Sequence, residues 1–306
     1  MKTFRMIGMA LVAVMLSFTM SSCDNDDDEV NPYKDYPQLI VGKWFNFTPE
    51  ASMFLNYQAD GTKNVVGWDK DHGWIEMNGT YNLEGNQLVE LYNDADGSTI
   101  KISSKVELTQ EKLIHKEGVN SNTSTLNERV HYRVKEQFDI KGNYTYLNSA
   151  ARVVPAEGKT ALQLPEGFLF NGENTIPVES LNGERIIDAS KAFFADATFA
   201  EDGKLNHTMN GEVKVKNYTL NGNNLVFNLY EGSDVYKINA TSFPDEDGDR
   251  LFIIMPKQAA WIGGFVSIIE EQNEGKKFSE AQIAELEKEF METFETFTVI
   301  LSLSKK

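Results

Sequence analysis

Tight-turn dipeptides recur along this chain at spacings too short for long helices. They include Asp60-Gly61, Asn78-Gly79, Asp96-Gly97, Asn182-Gly183, Asp202-Gly203, Asn210-Gly211, Asn221-Gly222 and Asp247-Gly248. Asp-Gly and Asn-Gly reach the positive φ angles that two-residue hairpins demand. The segments between them are short and alternate with period two. Leu88, Glu90 and Tyr92 interleave with Val89 and Leu91, and Val226, Asn228 and Tyr230 with Phe227 and Leu229. Short strands punctuated by hairpin turns predict a mainly β body, either a sandwich or an up-and-down barrel.

The body repeats itself. Tyr81-Asn82-Leu83-Glu84-Gly85-Asn86-Gln87-Leu88 matches Tyr218-Thr219-Leu220-Asn221-Gly222-Asn223-Asn224-Leu225. Asp60-Gly61 lies upstream of the first copy as Asp202-Gly203 does of the second. Ile100-Lys101-Ile102 and Leu113-Ile114 parallel Tyr236-Lys237-Ile238 and Leu251-Phe252-Ile253. Gly42 precedes Gly61 by 19 residues and Gly183 precedes Gly203 by 20, so the copies are expected to begin at corresponding glycines. The predicted organisation is a first β domain over 33–140 and a second over 181–306. Residues 141–180, rich in Pro and Gly, form either a linker or added strands. One helix is expected near the C-terminus. Ser279 and Gln282 make a capping box, Ile283, Leu286, Phe290 and Phe294 make one apolar face, and an alternating strand follows from Phe297.

Upstream of the body, Lys2 and Arg5 precede a 15-residue, largely apolar stretch, Met6 to Met20. Next come Ser21, Ser22 and the single cysteine, Cys23, and then the acidic run Asp24-Asn25-Asp26-Asp27-Asp28-Glu29. A bilayer span takes about 20 residues, so 1–22 reads as an export signal. The acidic run, 23–32, reads as a solvated tether. Removing 1–22 leaves 27 basic against 46 acidic side chains, a formal charge of −19. That balance disfavours nucleic acid and anionic surfaces as partners.

Little in the sequence carries catalysis. There is no G-x-S-x-G, and Ser98-Thr99-Ile100-Lys101 rises straight out of a turn. The four histidines, His72, His115, His131 and His207, are isolated in sequence. His115 and His131 could meet across neighbouring strands, or each could face outward as an ordinary polar strand residue. Asp245-Glu246-Asp247-Gly248-Asp249 is dense in oxygen ligands, but it lacks the closing acid of an EF-hand and suits a hairpin tip. Trp68, Asp69, Asp71, His72 and Trp74 make a polar–aromatic loop. Its rings could stack on a sugar or fold back over a barrel mouth. The expectation is a protein without enzymatic activity, cofactor or metal.

Two resemblances sharpen this. Met20-Ser21-Ser22-Cys23 resembles the lipobox of bacterial lipoproteins, which implies lipidation of Cys23. The acidic run resembles the signal that sends lipoproteins of Bacteroidetes-type bacteria to the outer face of the outer membrane. Gly42-Lys43-Trp44, Asp60-Gly61-Thr62 and Gly79-Thr80-Tyr81 resemble the lipocalin-like domains of Bacteroides lipoproteins. That resemblance implies two tandem antiparallel, calycin-type β-barrels or half-open barrels. Trp44 would plug a closed end with Arg133 over its ring. The second unit would be degenerate, because Arg185 and Ile186 stand where its Trp would be. The function so implied is that of a lipid-anchored, monomeric envelope binding protein for a small apolar molecule or a glycan, without nucleic acid. The alternative is a structural accessory subunit of a cell-surface complex.

Overall fold

The computed structural model describes residues 31–48, 51–69, 73–93, 99–120, 123–209, 212–228 and 236–306. The signal segment 1–22, Cys23, the tether up to residue 30, Asp71 and His72 lie outside the described residues. Among the described residues no helix is long and apolar enough to cross a membrane. Asn31–Lys34 form a turn, and everything from Asp35 onward is one unit.

Two closed barrels of eight antiparallel strands follow one another. The first contains β1 (Gly42–Thr48), β2 (Ala51–Tyr57), β3 (Thr62–Asp69), β4 (Gly73–Glu84), β5 (Gln87–Asn93), β6 (Thr99–Leu108), β7 (Lys112–Asn120) and β9 (Arg129–Arg133). Each strand pairs with its predecessor, except that β9 pairs back to β7. A short β8 (Thr123–Leu126) also pairs with β7, and β9 closes the ring onto β1 through Trp44↔Arg133 and Phe45↔Tyr132. Closure leaves none of the eight barrel strands at an open sheet edge. A short α1 (Tyr36–Leu39) precedes the barrel, and the Tyr36 hydroxyl accepts the Leu108 N–H at the closed end.

The second barrel contains β10 (Gly142–Pro155), β13 (Ala197–Phe199), β14 (Lys204–Met209), β15 (Glu212–Asn221), β16 (Asn224–Asn228), β17 (Lys237–Pro244), β18 (Arg250–Met255) and β19 (Phe294–Lys305). β19 closes it onto β10 over almost the whole length of both strands. Two insertions leave from the mouth end, where Pro155 sits opposite Phe294. The first holds the hairpin β11 (Ala161–Gln163) and β12 (Thr175–Pro177), then α2 (Gly183–Phe193). The second holds α3 (Gly263–Gln272) and α4 (Glu280–Thr293). Their apolar faces, through Phe168, Ile186, Ile269, Leu286 and Phe290, join the core of this barrel.

The repeat is real at the level of atoms. Tyr81 N–H donates to Gly61 and Tyr218 N–H to Gly203, each at 2.8 Å. The Tyr81 hydroxyl reaches the Gln58 carbonyl at 2.7 Å, and the Tyr218 hydroxyl reaches Ala200 at 2.8 Å. The second copy, however, begins at Gly142 and not near 181. Residues 142–155 are its first strand, and the insertion that follows displaces Gly203 from it. Gly183 opens α2, with Asn182 as its cap accepting from Arg185 N–H at 3.0 Å. Asn78-Gly79 is likewise no turn. It lies inside β4, where a Cβ at position 79 would meet the Leu91 carbonyl oxygen at 2.1 Å. The capping box predicted for α4 is present, and α4 leads directly into β19. The sequence reading did not find α2 and α3.

The correct alignment pairs the closed ends. The Arg133 guanidinium lies 4.1 Å from the centroid of the Trp44 ring. It donates to Gln110 at 2.5 Å, to Val41 at 3.0 Å and to the Leu39 carbonyl. In the second barrel Tyr144 and Lys305 hold the same register positions, so Tyr144 stands where Arg185 and Ile186 had been placed. Gly42 has φ +130°, and a Cβ there would lie 2.6 Å from Arg133 Nη1. Gly142 has φ +144°, and a Cβ there would lie 3.0 Å from Lys305 Cε. Both glycines let a basic side chain fold back across the strand. Gly42→Ala should therefore cost about 1–3 kcal/mol from backbone strain alone, read as a lower urea midpoint at unchanged slope.

The barrels dock through rings. Phe45, Val134, Phe243 and Phe252 form a separate buried cluster flanked by Phe47, Phe54, Tyr132 and Ile254. Phe45 lies 5.1 Å from Phe243 and 5.4 Å from Phe252. The acidic hairpin tip 245–249 sits beside this seam. Glu246 pairs with Lys112 at 3.1 Å, and Asp245 Oδ1 accepts the Arg250 N–H at 3.0 Å. Glu246 thus serves docking and Asp245 turn closure.

Candidate functional site

Alternation along β3 and β5 turns Lys63 and Glu90 into the first barrel, where each is 3% exposed. Burying either charge alone would be costly. They form an ion pair with each other. The Tyr57 hydroxyl donates to Glu90 Oε1 at 2.7 Å and accepts from Lys63 Nζ at 2.9 Å. Burial alone would raise the Glu90 carboxyl. Lys63, with help from His115 and the Tyr57 hydroxyl, outweighs burial and holds it below its usual range. Burial lowers the Lys63 ammonium against the pull of Glu90. Burial, followed by Glu90, pushes Tyr57 and Tyr92 well above the ordinary tyrosine value, so both keep their protons.

On the opposite wall β7 and β9 bring His115 and His131 together, with ring centroids 5.1 Å apart. Both face inward rather than outward. His115 Nδ1 lies 3.1 Å from Ser104 Oγ. His115 Nε2 and His131 Nδ1 are buried and have no hydrogen-bond partner among the described residues. Desolvation lowers His115 to about 4, and it lowers His131 well below its ordinary value. These side chains line a cavity of about 80 Å³. Met53, Leu55, Val65, Met77 and Ile102 complete its apolar walls, and Asn127 and Arg129 lie at its exposed rim.

The second barrel is a built-in control. Strand register places Phe199, Leu205, Phe227, Ala240, Ile253 and Leu303 at the positions held in the first barrel by Tyr57, Lys63, Glu90, Ser104, His115 and His131. All six second-barrel residues are apolar and buried. The same architecture therefore closes without any of the six polar groups.

Other candidates fall elsewhere. Trp68 and Trp74 are directly opposed across β3 and β4, on the outer face of the barrel and not in its cavity. Trp74 Nε1 is buried without a partner among the described residues. Asp69 is opposite Gly73, while Asp71 and His72 lie outside the described residues. Trp44 and Arg133 are brought together, at the closed end below the cavity. Among the described residues no three His, Cys, Asp or Glu side chains gather as metal ligands. A larger cleft of about 660 Å³ lies between the barrels, lined by Lys43, Glu111, Arg133, Lys135, Glu136 and Glu246 among others. Its Arg133, Lys135 and Glu246 are already engaged, and none of its side chains carries a buried orphan atom. The first-barrel cavity is the better-built site.

The fold and site together define a tandem pair of closed eight-stranded barrels, one with a polar-centred cavity and one apolar at the six matching positions. No family model matches the chain, and no curated protein matches it.

Two measurements probe this site. Lys63→Leu alone strands Glu90 and should cost about 3–5 kcal/mol. The triple change Tyr57→Phe, Lys63→Leu, Glu90→Phe, which copies the second barrel, should be near neutral or stabilising. Urea unfolding of both variants compares them. The second measurement uses His115. Its folded value of about 4 lies below the unfolded 6.5 or so, so the unfolded chain binds the proton first. The His115 contribution is complete above pH 6.5 and is lost as pH falls toward 4. Between pH 7 and 4 the wild type should lose about 3 kcal/mol more than His115→Ile.

Proposed function

We propose that this chain is a lipid-anchored envelope binding protein of lipocalin-like build, and that its ligand occupies the first barrel. One observation carries the reading: six inward positions are polar in the first barrel and apolar in the second. A buried ion pair adds little stability over well-packed apolar residues, so stability alone does not account for the six polar groups. A cavity with apolar walls and a few fixed polar groups is what a small-molecule site requires. Cys23 and the acidic run after it support anchoring at the outer membrane, on its outward face.

A second reading, a non-catalytic accessory subunit, draws on the second barrel. Helices cover its mouth side, and its β15 exposes Val213 and Val215 on the outer face, at 66% and 49%. Thermal-shift screening of small apolar molecules and glycans separates the two. The binding reading expects stabilisation of the wild type by one ligand class and its loss in the Tyr57→Phe, Lys63→Leu, Glu90→Phe variant. No stabilisation by any class leaves the accessory reading. For the anchor, fatty-acid labelling in cells should vanish in Cys23→Ser.

A further inference from the structure

Resting on the reading of the first barrel as a ligand pocket, we infer that its ligand is a short aliphatic monocarboxylate, bound together with one proton. Size comes first. An apolar cavity of about 150 Å³ takes benzene, so one of about 80 Å³ takes a small ligand only. A long acyl chain or a sugar ring with its substituents exceeds that. Met53, Leu55, Val65, Met77 and Ile102 are suited to an alkyl body.

The head group follows from the orphan nitrogens. His115 Nε2 and His131 Nδ1 are buried with no hydrogen-bond partner among the described residues, on rings whose centroids lie 5.1 Å apart, and His131 is only 4% exposed. Their second-barrel counterparts, Ile253 and Leu303, show that the fold does not need them. Two adjacent imidazoles offer two hydrogen-bonding nitrogens, and a carboxyl group meets them with two oxygens. An alcohol supplies one oxygen. An ammonium head would face Arg129, with Lys63 and Glu90 already neutralising each other. A dianion would carry more charge than the cavity offsets, because Lys63 is already neutralised by Glu90 and only Arg129 remains on the wall.

The proton follows from the electrostatics around the pair. The charged and titratable groups facing the imidazoles are Glu90 on β5, Lys63 on β3 and Arg129 on β9, with the un-ionised Tyr57 on β2 and Tyr92 on β5. Burial keeps both rings neutral when the cavity holds no ligand. An incoming carboxylate adds a negative charge against them and raises their proton affinity. One imidazole then takes a proton from solvent. The complex holds carboxylate and imidazolium as a neutral pair, with no other bond made or broken.

Calorimetry on the full chain, purified in detergent, tests this with butyrate, butanol and butylamine as probes. Butyrate should bind with uptake of about one proton, measured from the heats in two buffers. Its affinity should rise about tenfold for each unit of pH lowered between 7 and 6. Octanoate should bind at least about tenfold more weakly. His115→Ile and His131→Leu, which copy the second barrel and so suit the fold, should each weaken butyrate about tenfold. Butanol or butylamine binding as tightly as butyrate, or butyrate binding without proton uptake, overturns the carboxylate inference and leaves the pocket standing. Failure of all three probes to bind overturns the carboxylate inference, while the pocket reading falls only if the thermal-shift screen also finds no stabilising class.

Discussion

A sheet rolled into a barrel has one seam to close, and every other feature of this protein depends on how that seam is made. In the first barrel the last strand meets the first at Trp44↔Arg133. In the second the same two positions are Tyr144 and Lys305. The recipe is one glycine with positive φ, one aromatic two residues later, and one basic side chain arriving from the last strand. In the first barrel the cation covers the ring and takes up carbonyls that the chain leaves bare where it enters the barrel, as the Arg133 bonds to Leu39 and Val41 show. With that end shut, side-chain size and polarity further up each barrel are free to differ.

They do differ, and the difference separates what the architecture requires from what it carries. Leu88 and Leu225 are fully buried at matched positions, as are Leu113 and Leu251, so these layers belong to folding. Above them the barrels diverge. The second places Phe227 and Ile253 where the first places Glu90 and His115. It also gains α2 between β10 and β13, and α3 and α4 between β18 and β19, where the first barrel has β1 followed by β2 and only the short β8 between β7 and β9. Apolar filling and helical cover go together in one copy, polar lining and a cavity in the other.

Much of the architecture was legible because its signals are local. Hairpin glycines, period-two alternation and the Ser279–Gln282 box each act within a few residues, and together they predicted a β body, sandwich or barrel, and the last helix; the tandem barrels were implied by the resemblance to lipocalin-like domains. What was missed depends on distance. Gly142 was not recognised as the start of the second copy because the first insertion stands between β10 and β13, and the nearer Gly183 offered a false match at similar spacing. α3 opens on Gly263-Gly264 and so lacks the start signal that α4 has. At the site, the dense Trp68–Trp74 loop drew attention by composition, whereas the cavity is assembled from residues scattered from 53 to 131. A signal was nevertheless present. Glu90 sits between Leu88 and Tyr92 on one face of an alternating strand, and Lys63 shares its parity with Val65. A charge on the apolar face of a strand marks an interior that is not simply core.

The aromatic seam between the barrels has its own consequence. Phe45 and Tyr132 face away from the cavity and into a shared cluster with Phe243 and Phe252, so the outside of one barrel serves as the inside of the pair. Severed before Gly142, the leading half would present those rings to water as a bare greasy panel and would clump. The two halves share one build, and each keeps water off the other's outer wall.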